Sequence, residues 1–256
     1  MEKDKAMTVL ETIASQESLD FRLQLARLYK ETNIPTEELM CNLGLFLRSG
    51  ALVKYLVINE IYEMILDVPG NIMEFGVWWG QNLVFFENLR AIYEPFNKNR
   101  RIIGFDTFEG YKNISENDAQ QSDIFFEGNF SSSSEYKDQL AQIIELHEKI
   151  NVLGHIYGRH KLVAGDCCET VPNYFREYPD EIISLAYLDV GLYKPTKIIL
   201  ENVLPHLVKG SLIVMDELNW QEAPGERMAY KEVLKNVDHD IFCSRYTKER
   251  VYIRIK

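Results

Sequence analysis

The chain has 256 residues, 46% of them hydrophobic and 26% charged, enough to bury a core as one domain with an appendage. Its formal net charge of -11 at pH 7 argues against a polyanionic partner, because no basic block is present to neutralise phosphates, and nucleic acid is not expected. Residues 1–20 carry neither the apolar centre of a signal peptide nor an Arg-rich transit pattern, and no apolar run approaches bilayer-spanning length, so a cytoplasmic protein with no membrane partner is expected.

The segment 1–70 reads as helices, forming a lid or an oligomerisation element ahead of a main domain at 71–256. Ile13, Phe21, Leu25 and Leu28 fall at helix-compatible spacings, and "TEELMCNLGLFLRSG" starts after Pro35 and is expected to stop at Ser49-Gly50. "ALVKYLVINEIYEMIL" predicts a third helix, ended by Pro69-Gly70. From residue 72 the texture changes to short apolar runs, each closing on an acid: "NIMEFG", "RIIGFD", "HKLVAGD", "ISLAYLD" and "SLIVMDE". Such runs, separated by helix-length crossovers, predict parallel strands buried on both faces in a doubly wound α/β sheet. "RMAYKEVLKNV" predicts a further helix, and "HDIFCSRY" with "RVYIRIK" an antiparallel hairpin at the sheet edge. Between the second and third runs, "SSSS" at 131–134 is expected to be a solvated turn or helix cap and "EYKDQLAQIIELHEKI" a surface helix.

The cysteines, Cys41, Cys167, Cys168 and Cys243, form no CxxC and no regular framework, so disulfides are not expected. None of the histidines lies in a strand-end motif, and structural or exposed roles are expected for them.

In an open parallel sheet the ligand site lies beyond the carboxyl ends of the strands. Glu74, Asp106, Asp166, Asp189 and Asp216 all fall at such ends, where they would repel one another unless a ligand brings donors, positive charge or a metal. Gly76 and Gly80 read as positions of tight turn and close approach, although E-x-G-x-x-x-G is not the dinucleotide fingerprint. Asp106 is placed to accept the hydroxyls of a ribose, and Asp166 to accept from an exocyclic amine. The alternative for each acid is plain capping of the helix that follows.

"IMEFGVWWGQNL", "IIGFDTFEGY", "LVAGDCCETVP", "LAYLDVGLYKPTK" and "LIVMDELN...PGERMAYKEVL" together resemble the macrocin O-methyltransferase (TylF-like) family of class I S-adenosylmethionine-dependent methyltransferases, in order and spacing, from about residue 55 to 235. The resemblance implies a seven-stranded methyltransferase sheet with a helical N-terminal lid, S-adenosylmethionine as cofactor, and methyl transfer to a hydroxyl of a sugar or glycosylated small metabolite. It implies that Glu74, Phe75, Gly76, Trp78, Gly80 and Gln81 hold the methionine part of the cofactor. Asp106, Thr107 and Phe108 would serve the adenosine, and Asp166 and Cys167 would flank the adenine. Asp189 would touch the cofactor and be the catalytic residue, and Asp189, Asp216 and Glu217 would bind Mg2+, an ion suited to oxygen-only ligands. The family reads LDxDLYxPT where this chain reads "LDVGLYKPT", so Gly191 stands where a second acid is expected. That departure leaves open other chemistry on the same cofactor, or a non-catalytic paralogue; a nucleotide- or NAD-binding enzyme on a related sheet is a further rival. Arg227 faces the acceptor side as a candidate phosphate contact, with surface solvation as its alternative. A homo-oligomer is expected, with apolar N-terminal helices covering the site or pairing with a neighbouring subunit.

Overall fold

The computed structural model describes residues 15–118, 125–151, 157–221 and 224–256. Helix α1, Gln16–Glu31, carries Phe21, Leu25 and Leu28 and is capped by the Ser15 hydroxyl, which accepts from the Ser18 N–H at 3.3 Å. Ile13 lies outside the described residues. Helix α2, Thr36–Cys41, begins after Pro35 as expected but gives way to a 3-10 turn at Leu43–Phe46. Ser49-Gly50 does not stop that element. It opens α3, Ser49–Met64, because small polar residues and glycine are tolerated at a helix start as well as beyond its end.

Two compact units divide at Leu52/Val53, inside α3 rather than at Pro69-Gly70. The reason is packing: Val57, Ile58, Ile61, Tyr62 and Ile65 are buried in one cluster with sheet residues Ile72, Leu185 and Leu212. In the first unit the described residues of α1 and α2 include none that is buried.

The second unit is a seven-stranded sheet of order β3-β2-β1-β4-β5-β7-β6. Its strands are β1 Asn71–Phe75, β2 Ile102–Asp106, β3 Lys161–Ala164, β4 Ile183–Leu188, β5 Leu207–Met215, β6 His239–Cys243 and β7 Val251–Ile255. The first five are parallel; β7 runs antiparallel to both β5 and β6, so the terminal hairpin inserts its second strand into the sheet and leaves β6 at the edge. The crossover helices are α4 Gln81–Tyr93, α5 Ser134–Asn151, α6 Cys167–Glu177, α7 Tyr193–Val203 and α8 Pro224–Val233. The serine run before α5 is not wholly solvated: Ser132 is buried, and the Ser131 hydroxyl donates to the Phe108 carbonyl at 3.2 Å. Among the described residues, no helix is long and apolar enough to cross a membrane.

Strand alternation sends side chains to two cores. Met73, Phe75, Ile103, Phe105, Ala186, Leu188, Ile213 and Met215 enter one, packed with residues of α6, α7 and α8; Ile72, Ile102, Leu185, Tyr187, Leu212 and Val214 enter the other, packed with α3, α4 and α5. Continuing the period of two, Glu74, Asp106, Asp189 and Asp216 belong to the second face. One face of the sheet therefore carries an acid at four adjacent carboxyl ends.

Candidate active site

The backbone holds this edge in register just past the strands. The Gly76 N–H donates to the Phe105 carbonyl at 2.9 Å, Asp189 to Phe75 at 2.8 Å and Asp216 to Leu188 at 3.1 Å. Each acid is thus carried on a fixed backbone, a condition for a preorganised site.

On the β1–β2 side the acids are engaged by donors of the protein. Asp106 Oδ2 accepts from the N–H groups of Val77 and Trp78, both at 2.7 Å, and Oδ1 accepts from Phe108 N–H at 2.6 Å. Asp106 therefore ties the turn after β1 to the turn after β2, rather than capping a helix. Asp166 does cap one: its Oδ1 accepts from Cys168 N–H at 2.8 Å at the start of α6, and Oδ2 accepts from the Asn113 amide. Glu74 is buried; Oε1 accepts from Asn82 Nδ2 at 2.7 Å, and Oε2 has no partner. Burial pushes its carboxyl well above the usual range, and the charges of Asp189, Asp106 and Asp216 push the same way against the Asn82 hydrogen bond.

The two glycines make room chiefly for protein. A Cβ on Gly76 would lie 1.9 Å from the Asp189 carbonyl oxygen, and one on Gly80 would lie 2.3 Å from Leu140. Gly76 thereby lets the turns after β1 and β4 meet, and Gly80 opens α4 beneath α5. Phe75 and Phe108 are core side chains, so what they offer the edge is backbone. Trp78 is half-buried with φ 48° and lies edge-on to Phe130 at 6.0 Å, Thr107 closes its own turn onto the Gly110 carbonyl at 2.7 Å, and Gln81 begins α4. Cys167 is buried and Cys168 half-buried; burial first, then neighbouring acids, raise both thiols, Cys168 to about 12, so neither is a thiolate at neutral pH.

The β4–β5 side is different. Asp189, Asp216 and Glu217 bring one carboxylate oxygen each within 4.8 Å of one another. Asp216 Oδ1 accepts from the Tyr187 hydroxyl at 2.9 Å and pairs with the Arg250 guanidinium, which leaves Oδ2 to the cluster. Glu217 Oε2 is buried with no donor facing it. A fourth acid joins them: Glu226 on α8 is fully buried, its Oε2 accepting from Glu217 N–H at 3.1 Å, and the Glu226 and Glu217 carboxyls share a hydrogen bond that requires a proton on one of them. Burial raises all four carboxyls, reinforced by Asp216 and Glu217 at Asp189, by Glu226 and Asp216 at Glu217, and by Asp216 and Asp189 at Glu226, which reaches about 8. The positive fields acting on Asp189 and Asp216 come from Arg250 and Lys54.

Gly191 lies in this half with φ +63°. A Cβ there would meet Tyr111 Oη at 3.1 Å, Phe125 at 3.4 Å and Glu217 Oε2 at 3.5 Å. Burial raises the Tyr111 hydroxyl first, and then the charges of Glu217, Asp189, Glu226 and Asp216.

Sequence reasoning missed Asn82, Tyr111, Arg250 and Glu226. Asn82 sits in the quoted first motif, one residue past Gln81. Glu226 had a usable signal, since it shares the buried face of α8 with Ala229 three residues on, where an acid is out of place. Arg250 had none, because its position depends on β7 lying beside β5. Arg227 donates to the Trp220 carbonyl at 3.3 Å, and the histidines at 160, 206 and 239 hold structural hydrogen bonds.

The donor sets fit both groups that the sequence suggested. A buried, unpartnered Glu74 oxygen at the end of β1 suits the ammonium of an amino-acid cofactor, and an oxygen-only cluster with too few cations suits a hard divalent ion.

Sheet order, an inserted antiparallel β7 and this row of acids define an α/β protein of the methyltransferase class. The sequence model of the macrocin-O-methyltransferase (TylF) family matches residues 57–243, and the chain belongs to that family. The crystal structure of CalS11, a calicheamicin methyltransferase, superposes with a TM-score of 0.87 at 40% identity, over 94% of this chain and 93% of that one. A second CalS11 structure, described as an apo TDP-rhamnose 3'-O-methyltransferase, gives 0.79 at 38% identity over 94% and 95%. Among curated proteins, the mycinamicin III 3''-O-methyltransferase of Micromonospora griseorubida is 23% identical over 59% of this chain. A tetracenomycin rhamnosyl 4'-O-methyltransferase of Streptomyces olivaceus is 26% identical over the same share. The chain spans about half the length of these two, 56% and 53%.

Proposed function

We propose that the protein transfers a methyl group from S-adenosylmethionine to a hydroxyl of a sugar, free as a nucleotide sugar or carried on a small metabolite, with a divalent cation, magnesium for preference, at the acid cluster. The observation that carries this reading is the pairing, on one sheet edge, of the unpartnered Glu74 oxygen with the cluster of Asp189, Asp216 and Glu217. The relatives support the acceptor class, since each acts by its name on a methylation step in a glycosylated natural product or its activated sugar.

In this reading Glu74 accepts from the cofactor's amino group, with Phe75, Gly76, Trp78, Gly80 and Gln81 around the methionine portion. Asp106 has three of its acceptor directions filled by backbone N–H groups and gives the remaining one to a ribose hydroxyl. Thr107 and Phe108 fix the neighbouring turn, and Asp166 and Cys167 flank the base. The sulfonium supplies an already activated methyl group, so the protein's task is to align an oxygen with it and to receive the proton that oxygen loses. Bound magnesium would lower the pKa of the acceptor hydroxyl. Asp189 stands between the halves: its carbonyl contacts the Gly76 turn and its carboxylate belongs to the cluster.

Calorimetric titration of S-adenosylhomocysteine into chelator-treated protein, with NAD as control, tests the cofactor; labelled methyl transfer to TDP-rhamnose with added Mg2+ tests the acceptor class. Binding of S-adenosylhomocysteine and not NAD is expected. Absence of that binding, with or without Mg2+, overturns the assignment.

A further inference from the structure

Gly191 raises a specific question: what supplies the negative charge that the family motif places after the fourth strand? Four observations converge on one residue. Glu226 is fully buried on α8, and one of its oxygens meets only another acid, the carboxyl of Glu217. Its other oxygen holds the backbone N–H of Glu217, a member of the acid cluster. Glu217 Oε2 lies 3.5 Å from the point where a side chain on residue 191 would begin. Finally, α8 is seated closely: a Cβ on Gly225 would lie 2.2 Å from Asp118 Oδ1 and 2.6 Å from Tyr193 N, and Asp118 Oδ1 itself accepts from Tyr193 N–H at 2.6 Å. The start of α8 is thus packed against the residue that opens α7, and Glu226 lies against Glu217, the acid that borders the gap left by Gly191.

We propose that Glu226 is a positioning residue for the divalent cation, a carboxylate from α8 that stands in for the acid missing at 191 by holding Glu217 toward the gap and adding its charge to the site. This rests on the cation reading above. The Glu226 and Glu217 carboxyls share a side-chain hydrogen bond, which needs a proton between them and leaves one buried negative charge, and no cation among the described groups is paired with Glu226. A divalent ion held by Asp189, Asp216 and Glu217 would give that charge its counterpart. The three ligand oxygens of the cluster already lie close together without Glu226, so its part is orientation and field rather than a shared ligand atom.

The test is magnesium affinity, measured calorimetrically on the chelator-treated full chain without acceptor. Glu226→Gln keeps the shape and removes the charge. Its dissociation constant for Mg2+ is expected to rise about 10- to 100-fold, the range for outer groups of metal sites, with S-adenosylhomocysteine affinity unchanged. Gly191→Asp in the Glu226→Gln background is expected to recover most of the loss, since Asp tolerates the left-handed region and the contact with Tyr111 is to the end of a side chain. Glu226→Gln binding Mg2+ as tightly as the parent, or a double variant no tighter than Glu226→Gln, overturns the inference while leaving the cation reading intact. A parent protein that binds no Mg2+ overturns both.

Discussion

Asp106 and Asp216 end strands of one sheet on the same face, yet they are satisfied in opposite ways. Asp106 has three backbone N–H groups within 2.7 Å; Asp216 has a tyrosine hydroxyl and a guanidinium brought from the far end of the chain. The acids beside them follow suit. Asp166 caps a helix and Glu74, though burial and neighbouring acids raise its carboxyl too, takes an asparagine amide, whereas Asp189, Glu217 and Glu226 crowd together with pKa values raised by burial and by nearby acids. One half of the edge is neutralised by fixed dipoles and shaped for an uncharged or zwitterionic organic group. The other crowds acids whose carboxyls burial and mutual repulsion raise, an arrangement that a bound cation would relieve. A site that must present a sulfonium methyl to a hydroxyl has use for both.

The sharpest way to break the comparison is Asp189→Ala. Turnover is expected to fall by about 10²–10³-fold or more, in the range for loss of one preorganised electrostatic group, while S-adenosylhomocysteine affinity stays within tenfold. A fully active variant would remove Asp189 from the chemistry. Arg250→Met strips Asp216 of its closest cation. Breaking a buried pair costs about 3–5 kcal/mol, seen in urea unfolding of chelator-treated protein, and added Mg2+ should return part of it. An unchanged unfolding midpoint would mean that Asp216 is neutral without its partner. Asp106→Asn exchanges one acceptor for a donor facing backbone N–H groups. The expected cost is about 1–3 kcal/mol with weaker S-adenosylhomocysteine binding, and Mg2+ affinity should not move if the halves are independent. Smallest is Asp166→Ala, about 1 kcal/mol for a lost helix cap, read as faster amide exchange at Cys168 and Glu169.

The sheet was legible because β1, β2 and β4 are short apolar runs that close on an acid, and buried parallel strands leave that trace; β3 and β6, at the two edges, are largely exposed or half-buried and leave a weaker one. The Ser49-Gly50 boundary was misread because the same residues serve helix ends of either kind. The acids at 74, 106, 189 and 216 were legible as a row from strand ends alone; their unlike environments were not, since a backbone N–H cannot be seen in a sequence and Arg250 reaches Asp216 only through strand order. Glu226 was hidden for another reason: α8 is short and its buried face offers only Gly225 and Ala229 beside the acid, too weak an apolar stripe to mark the carboxylate as buried by itself.

The insertion of β7 between β5 and β6 also bears on how the protein is made. Asp216 and its neighbours leave the ribosome well before Arg250, and β5 has no partner on that flank until Val251–Ile255 arrive. A nascent chain arrested between β5 and β7 carries a half-open sheet whose exposed edge ends in unbalanced acids. β7 then pairs with β5 along that edge and brings Arg250 to Asp216 in one event, so the acid-rich half of the edge is completed after the parallel strands.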